Sequence, residues 1–198
     1  ACLDSGECTS PLTYWSSSYC IWSSPNEEDN FPVNCITWDK ARTYCAWAGK
    51  RLCSESEWEK AARGTDGRKY PWGNAAATCE YAVMFEEWRG CGTGLTWPVG
   101  SKPAGVGPYG AMDMAGNAYE WVEDDWPDVD ETEPQYEGYS GAPADGSAWI
   151  DEPRSPFRVM RGGSFYFGDF ELRCSMRDME TPEAIDDGTI GVRCCRSK

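Results

Sequence analysis

The sequence predicts an α+β chain built from two helices, short strands and much irregular structure, and three observations carry that prediction. Residues 38–48 and 55–63 repeat apolar side chains at helical spacing. Beyond Gly64, glycine, proline, asparagine and tryptophan recur every few residues, so strands there must be short. Eleven cysteines in 198 residues supply the cross-links that a chain poor in long ladders needs.

The first thirty residues have no sustained period, are rich in serine at Ser16-Ser17-Ser18 and Ser23-Ser24, and read as loops stapled by Cys2, Cys8 and Cys20. From Thr37 the positions Trp38, Ala41, Tyr44, Cys45 and Ala48 form one helical stripe, with Asp39 in the first turn and Gly49 as the stop. Ser54-Glu55-Ser56-Glu57 is a capping box, which opens a second helix carrying Trp58, Ala61 and Ala62 on one face and ending at Gly64. Residues 126–156 form an acidic insertion in which Arg154 stands alone against eight carboxylates, and this reads as a solvated loop. Phe157 to Arg161 alternates like a strand ending at Gly162-Gly163, and Thr189 to Cys195 reads as a final core strand. No linker divides the chain, so residues 1–198 are read as one domain.

Composition removes several functions. The formal net charge is −15, which repels phosphate backbones and anionic headgroups, so nucleic acid and membrane surfaces are not expected partners. No apolar run approaches the roughly 18 residues that span a bilayer. Zinc would favour Cys-x-x-Cys pairs or histidines, and the chain has neither. The cysteines therefore read as disulfides, which places the protein in an oxidising compartment: secreted, cell-surface or periplasmic. Their odd number leaves one thiol over, and a start at Ala1 with no Met or signal peptide suggests a processed or incomplete chain. Zero histidines also exclude Ser/His/Asp and Cys/His nucleophile systems. Asp124 and Asp125 read as part of the acidic, solvated stretch rather than as an acid-base pair.

The run Gly110-Ala111-Met112-Asp113-Met114-Ala115-Gly116-Asn117-Ala118-Tyr119-Glu120-Trp121 alternates small residues with carboxylates and an amide around a turn. Calcium takes six to eight oxygens from carboxylates, carbonyls and water, so this run reads as a calcium loop. The run, together with Arg161-Gly162-Gly163-Ser164, Gly191-Val192-Arg193-Cys194, Glu57-Trp58-Glu59-Lys60-Ala61-Ala62-Arg63-Gly64 and Tyr70-Pro71-Trp72-Gly73-Asn74, resembles the formylglycine-generating enzyme or sulfatase-modifying factor family. That resemblance implies a fold related to C-type lectins, a chain that lacks the family's usual N-terminal strands, and calcium held by the side chains of Asp113 and Glu120 with the carbonyls of Gly116 and Ala118. It also implies a disulfide between Cys45 and Cys194, where loop-closure entropy amounts to about 5 kcal/mol. Cys79 and Cys91 close a shorter loop and are the next pair, at about 3 kcal/mol. Cys174 matches a family cysteine whose partner aligns with Ala62, so it must pair elsewhere, with Cys53 as the candidate.

The family's oxidases bind copper through two cysteines just after the Gly-Gly-Ser block. Here Phe167 stands at the first position and the segment to Cys174 holds no second. Soft thiolates select copper(I), so the resemblance implies the fold without its oxidase chemistry. The frame from Ser164 to Pro182 also resembles the ligand-binding end of retroelement-diversified variable proteins. Phe165, Tyr166, Phe167, Phe170, Met176 and Met179 are expected at a surface with Arg173 and Arg177, and Ser164, Tyr166, Phe167, Phe170, Arg173 and Arg177 are the candidate ligand-binding residues. The expected partner is an extracellular protein or glycan. The rival expectations are an enzyme or accessory subunit with a non-standard site, and a structural subunit of an extracellular assembly.

Overall fold

The computed structural model describes residues 2–11, 19–20, 30–127, 139, 141–150, 152–184 and 188–196. Helix α1 spans Trp38–Trp47, with the Thr37 hydroxyl accepting from the Lys40 amide as N-cap. Its stripe Trp38, Ala41 and Cys45 is buried. Helix α2 spans Glu55–Arg63 and opens with the expected reciprocal capping box between Ser54 and Glu57. Gly64 ends it at φ 69°, ψ −139°, a conformation that a side chain resists.

Between and beyond the helices, the described residues form six strands: β1 (Arg51–Leu52), β2 (Tyr119–Asp125), β3 (Arg158–Arg161), β4 (Arg177–Glu180), β5 (Ile190–Val192) and β6 (Cys194–Cys195). One sheet has the order β4-β3-β2-β5, with β2 antiparallel to β3 and parallel to β5; β1 and β6 form a separate two-stranded ladder. The expected final strand is thus two, broken at Arg193, whose side chain turns to a buried carboxylate. Strands β2 and β4 were not foreseen. The run 119–125 carries four acids beside its aromatics and lacks the alternation of a half-exposed strand, because both of its faces are buried.

Strand β2 divides the core. Tyr119 and Trp121 pack with Trp38, Ala41, Cys45, Leu52 and Ile190. Val122, on the opposite face, packs with Trp58, Ala62, Met114, Val159 and Cys174. Each buried indole then needs a partner for its N–H. Trp38 donates to the Val122 carbonyl at 2.7 Å, Trp121 to the Ile36 carbonyl at 2.9 Å and Trp58 to a Glu120 oxygen at 2.7 Å, so the three rings tie the helical half to the sheet.

Ten cysteines form the pairs Cys2–Cys8, Cys20–Cys35, Cys45–Cys194, Cys53–Cys195 and Cys79–Cys91. The family-derived Cys45–Cys194 pair and the Cys79–Cys91 pair read from its short loop both hold. Adjacent cysteines on a strand point to opposite sides, so Cys194 reaches α1 while Cys195 reaches the start of α2, and β6 is pinned between them. The expected Cys53–Cys174 pair is corrected: Cys53 takes Cys195, and Cys174 is left as the buried free thiol. It lies in one buried cluster with Ala62 and Trp58. Burial pushes the Cys174 thiol up to about 12, which leaves it almost wholly protonated and inert at neutral pH.

Alkylation therefore has a definite outcome. Iodoacetamide should leave Cys174 unlabelled in the native protein and label it fully in denaturant, with the five disulfides recovered by non-reducing peptide mapping. Labelling of native Cys174 at the rate of a free thiol would contradict this burial.

Candidate functional site

The Asp113 to Glu120 run is a tight loop entering β2. Asp113, Gly116 and Asn117 all adopt positive φ, at 56°, 74° and 67°. A Cβ on Gly116 would lie 2.4 Å from the Val83 carbonyl, so glycine is required there for steric reasons. Asn117 holds the turn: its amide side chain accepts from the Trp97 N–H at 2.9 Å and donates to the Trp97 carbonyl at 3.0 Å, while its backbone N–H donates to Val83. Asp113 accepts from the Gly100 amide at 2.6 Å through one oxygen. Asp113, Asn117, Ala118 and Glu120 then line one cavity of about 450 Å³ with Val192 and Arg193.

Glu120 is buried and fully engaged. Both of its oxygens accept from Arg193 at 2.8–3.0 Å, and one also accepts from Trp58 at 2.7 Å. The Arg193 guanidinium is raised above its ordinary value, first by the charge of Glu120. Asp113 is raised above the usual carboxylate range, first by burial, with Glu120 adding to the effect and the Gly100 amide and Arg193 opposing it. Of the four expected ligand residues, Asp113, Ala118 and Glu120 share the cavity, and Gly116 is the pivot of their loop. One Asp113 oxygen is left beyond the Gly100 bond, while both Glu120 oxygens are taken by Arg193 and Trp58, so a hard cation at this loop would have to share Glu120 with those partners. Sequence reasoning missed Trp58 and Arg193 as the partners of Glu120. A lone arginine in an otherwise apolar final strand was the available signal, since a charge there requires a buried counter-charge.

The Ser164 to Pro182 segment is only partly the expected surface. Tyr166 and Phe170 are exposed at 38% and 42%, whereas Ser164 is fully buried and Phe165 is 1% exposed. Phe167 is part-buried, edge-on to Tyr119 at 5.4 Å. Arg177 faces inward, because Glu55 of α2 binds its Nε and terminal nitrogen at 2.6 Å each, while Trp126 and Tyr139 stack on the guanidinium at 4.9 and 4.4 Å. Ser164, Phe165 and Arg177 are therefore framework rather than contact surface.

A second loop completes the exposed face. The segment closed by Cys79–Cys91 runs beside 165–167, where the Phe85 amide donates to the Phe167 carbonyl and the Gly90 amide to the Phe165 carbonyl, both at 2.8 Å. It presents Phe85 at 42% and Trp88 at 57% exposure. Arg89 stacks on Tyr166 with its guanidinium 3.7 Å from the ring centre, donates to the Tyr166 hydroxyl, and lies 5.8 Å from the Trp88 ring. Arg173 stacks likewise on Phe170 at 4.5 Å. The adjacent Trp88-Arg89 inside a disulfide-closed loop was the sequence signal for this half.

Beneath the face lies a buried charge network. Glu55 also meets Arg161 at 3.3 Å, and Glu59 meets the same guanidinium at 2.6 Å. Asp124 accepts from the Glu55 amide at 2.7 Å, capping α2 from a distant strand, and from the Trp149 amide at 2.9 Å. Asp125 is fully buried between Arg154 and Arg158 at 2.7 and 2.8 Å. The reading of Asp124 and Asp125 as solvated is thus corrected: both lie on β2 in the interior, where backbone amides replace water at Asp124 and two arginines do so at Asp125. Residues 128–138, 140 and 151 of the 126–156 insertion lie outside the described residues.

Comparison with known proteins agrees with this architecture. Residues 7–198 match the sulfatase-modifying factor enzyme 1-like domain. The chain is 36% identical over 200 residues to the formylglycine-generating enzyme of Thermomonospora curvata, covering 93% of this chain and 61% of that protein. It is 35% identical over 166 residues to the serine/threonine-protein kinase Pkn1 of Chlamydia trachomatis serovar L2, covering 83% of this chain and 24% of that one. Among solved structures it is similar to PvdO from Pseudomonas aeruginosa, with a TM-score of 0.68 and 31% identity over 82% of this chain and 60% of that one. It spans less than two thirds of each of these relatives, and about a quarter of the kinase.

The buried Asp124 gives a pH signature. Burial, only partly offset by the Trp149 and Glu55 amides, pushes its carboxyl up to about 6 from an ordinary 3.8. The folded state therefore holds a proton between these values that the unfolded state releases, so this group favours folding as pH falls through 6 and disfavours it above. Urea titrations of wild type and Asp124→Asn should diverge with pH, the wild type gaining about 2 kcal/mol on the variant between pH 7 and pH 4. Parallel profiles would contradict the assignment.

Proposed function

The chain belongs to the sulfatase-modifying factor enzyme 1-like family, and from that premise we propose that it is a calcium-stabilised binding or structural module that works without the family's copper oxidase chemistry. The observation that carries this reading is the accounting of thiols. Ten of the eleven cysteines are held in disulfides, and the remaining one is buried with its thiol pushed up to about 12. Copper(I) needs at least two thiolates at close range, and the position where the family's first copper cysteine falls is Phe167, packed edge-on against Tyr119. Five disulfides further support a working place outside a reducing cytoplasm: secreted, at the cell surface or periplasmic. No helix among the described residues is long and apolar enough to cross a membrane.

In this reading calcium is held by the Asp113 and Glu120 carboxylates with the carbonyls of Gly116 and Ala118, and its contribution is to lock the loop entering β2. The ion would also relieve Asp113, which is desolvated and faces a second carboxylate nearby. The binding surface is the aromatic face around Trp88 and Tyr166, whose residue types are those that dominate protein interfaces. Its partner is an extracellular protein or glycan.

Two measurements test the proposal. Because a ligand bound only to the native state stabilises it by mass action, EDTA should lower the melting temperature and added calcium should restore it. An unchanged melting curve, or equal recovery with magnesium, contradicts the calcium assignment. Copper(I) titrated against a chelator should find no tight site, and a sulfatase-type cysteine peptide incubated with protein, copper and oxygen should remain unmodified. Formylglycine in that peptide would return the chain to the oxidases.

A further inference from the structure

Resting on the reading of the aromatic face as a contact surface, we infer that it recognises a carboxylate on a protein partner through Arg89 and Arg173, with Trp88 and Tyr166 as the apolar anchors. The chain carries a net charge of −15, and its arginines are almost all consumed by its own acids: Arg51 by Glu57, Arg154 and Arg158 by Asp125, Arg177 by Glu55, Arg193 by Glu120. Arg89 and Arg173 are different. Neither meets a carboxylate among the described residues, and each is instead stacked on an exposed ring of the same short segment, Tyr166 and Phe170. The Nε of Arg173 is buried with no hydrogen-bond partner, an unmet donor beside the face.

A stacked guanidinium has its plane fixed, and Arg89 spends only one terminal nitrogen on the Tyr166 hydroxyl, so little side-chain freedom is lost when its remaining N–H groups take a carboxylate. In an acidic chain, two guanidiniums without a carboxylate of their own are left able to take a negative group from elsewhere. The strong negative field of the whole molecule bears on what that can be. It repels a dense polyanion and a second copy of this chain, while a single carboxylate set among apolar side chains meets little of that repulsion. The cavities lined by Glu123 and Arg51, by Asp113 and Arg193, and by Glu59 and Tyr139 lie away from this face. Small ligands favour concave sites, whereas tryptophan, tyrosine and arginine clustered on an open surface are the anchors of protein contacts.

The test is selection of a displayed random library of 12-residue peptides on the intact, disulfide-bonded chain. Selected peptides should share an Asp or Glu beside an aromatic or aliphatic residue. Replacing that acid by its amide should weaken binding at least tenfold, and Arg89→Gln/Arg173→Gln should bind the acidic peptide at least tenfold more weakly and no longer distinguish acid from amide. Trp88→Ala should lose both peptides, with unchanged circular dichroism and disulfide map for every variant. Peptides without a carboxylate that still depend on Trp88, or an acid preference that persists in the double arginine variant, overturn the carboxylate inference and leave the contact surface standing. Binding confined to glycans on an array, sensitive to Trp88→Ala, overturns the protein partner alone. If neither peptides nor glycans depend on Trp88, the contact surface itself is wrong.

Discussion

The carboxylate of Glu120 is the point through which the rest of the molecule is held together. It sits at the start of β2, between the two halves of the core, and gathers Trp58 from α2 and Arg193 from between the chain's last strands, at the end of the Asp113 loop. A buried carboxylate with fewer partners would be costly, and breaking one side of a buried pair typically costs about 3–5 kcal/mol. The partners therefore cannot move independently. Three elements far apart in sequence are fixed at one spot by the need to satisfy two oxygen atoms.

Around that point the covalent cross-links do what long ladders do elsewhere. Strands β1 and β6 are two residues each and could not persist alone, yet Cys45–Cys194 and Cys53–Cys195 clamp β6 from both sides. Cys79–Cys91 similarly freezes a loop whose backbone runs through positive φ at Glu87, Gly90 and Cys91. Conformations of that kind persist only where neighbours over-determine them. The rigid loop and the 165–167 turn bonded to it hold Trp88, Arg89 and Tyr166 in fixed relation, and a preorganised surface of this kind loses little entropy on binding.

Local signals made the helical half legible in the sequence. The capping box at Ser54, the Gly49 and Gly64 stops and the stripes through Trp38 and Trp58 are short-range features, and the observed helices follow them. The turn entering β2 was legible for the same reason, being one contiguous run with Gly116 and Asn117 at positive φ. Strand β2 was not visible, because a strand buried on both faces whose acids are neutralised by Arg154, Arg158 and Arg193 from elsewhere carries no alternation. The same cause misplaced Asp124, Asp125 and Arg177: composition marks a charge as solvated unless its distant partner is known. Half of the exposed face was missed since Trp88 and Arg89 join Tyr166 only after the 79–91 loop folds over it.

Hydrogen–deuterium exchange on Glu120→Gln against wild type tests the central role of Glu120 most directly. The amide removes the charge that Arg193 compensates, leaving the shape of the side chain. The account predicts that protection falls together in residues 55–63, 113–125 and 190–195, as one cooperative unit, while the 79–91 loop keeps its protection. Loosening confined to residues 113–120, with α2 and the final strands unchanged, would show that Glu120 serves only its own loop and would contradict the account.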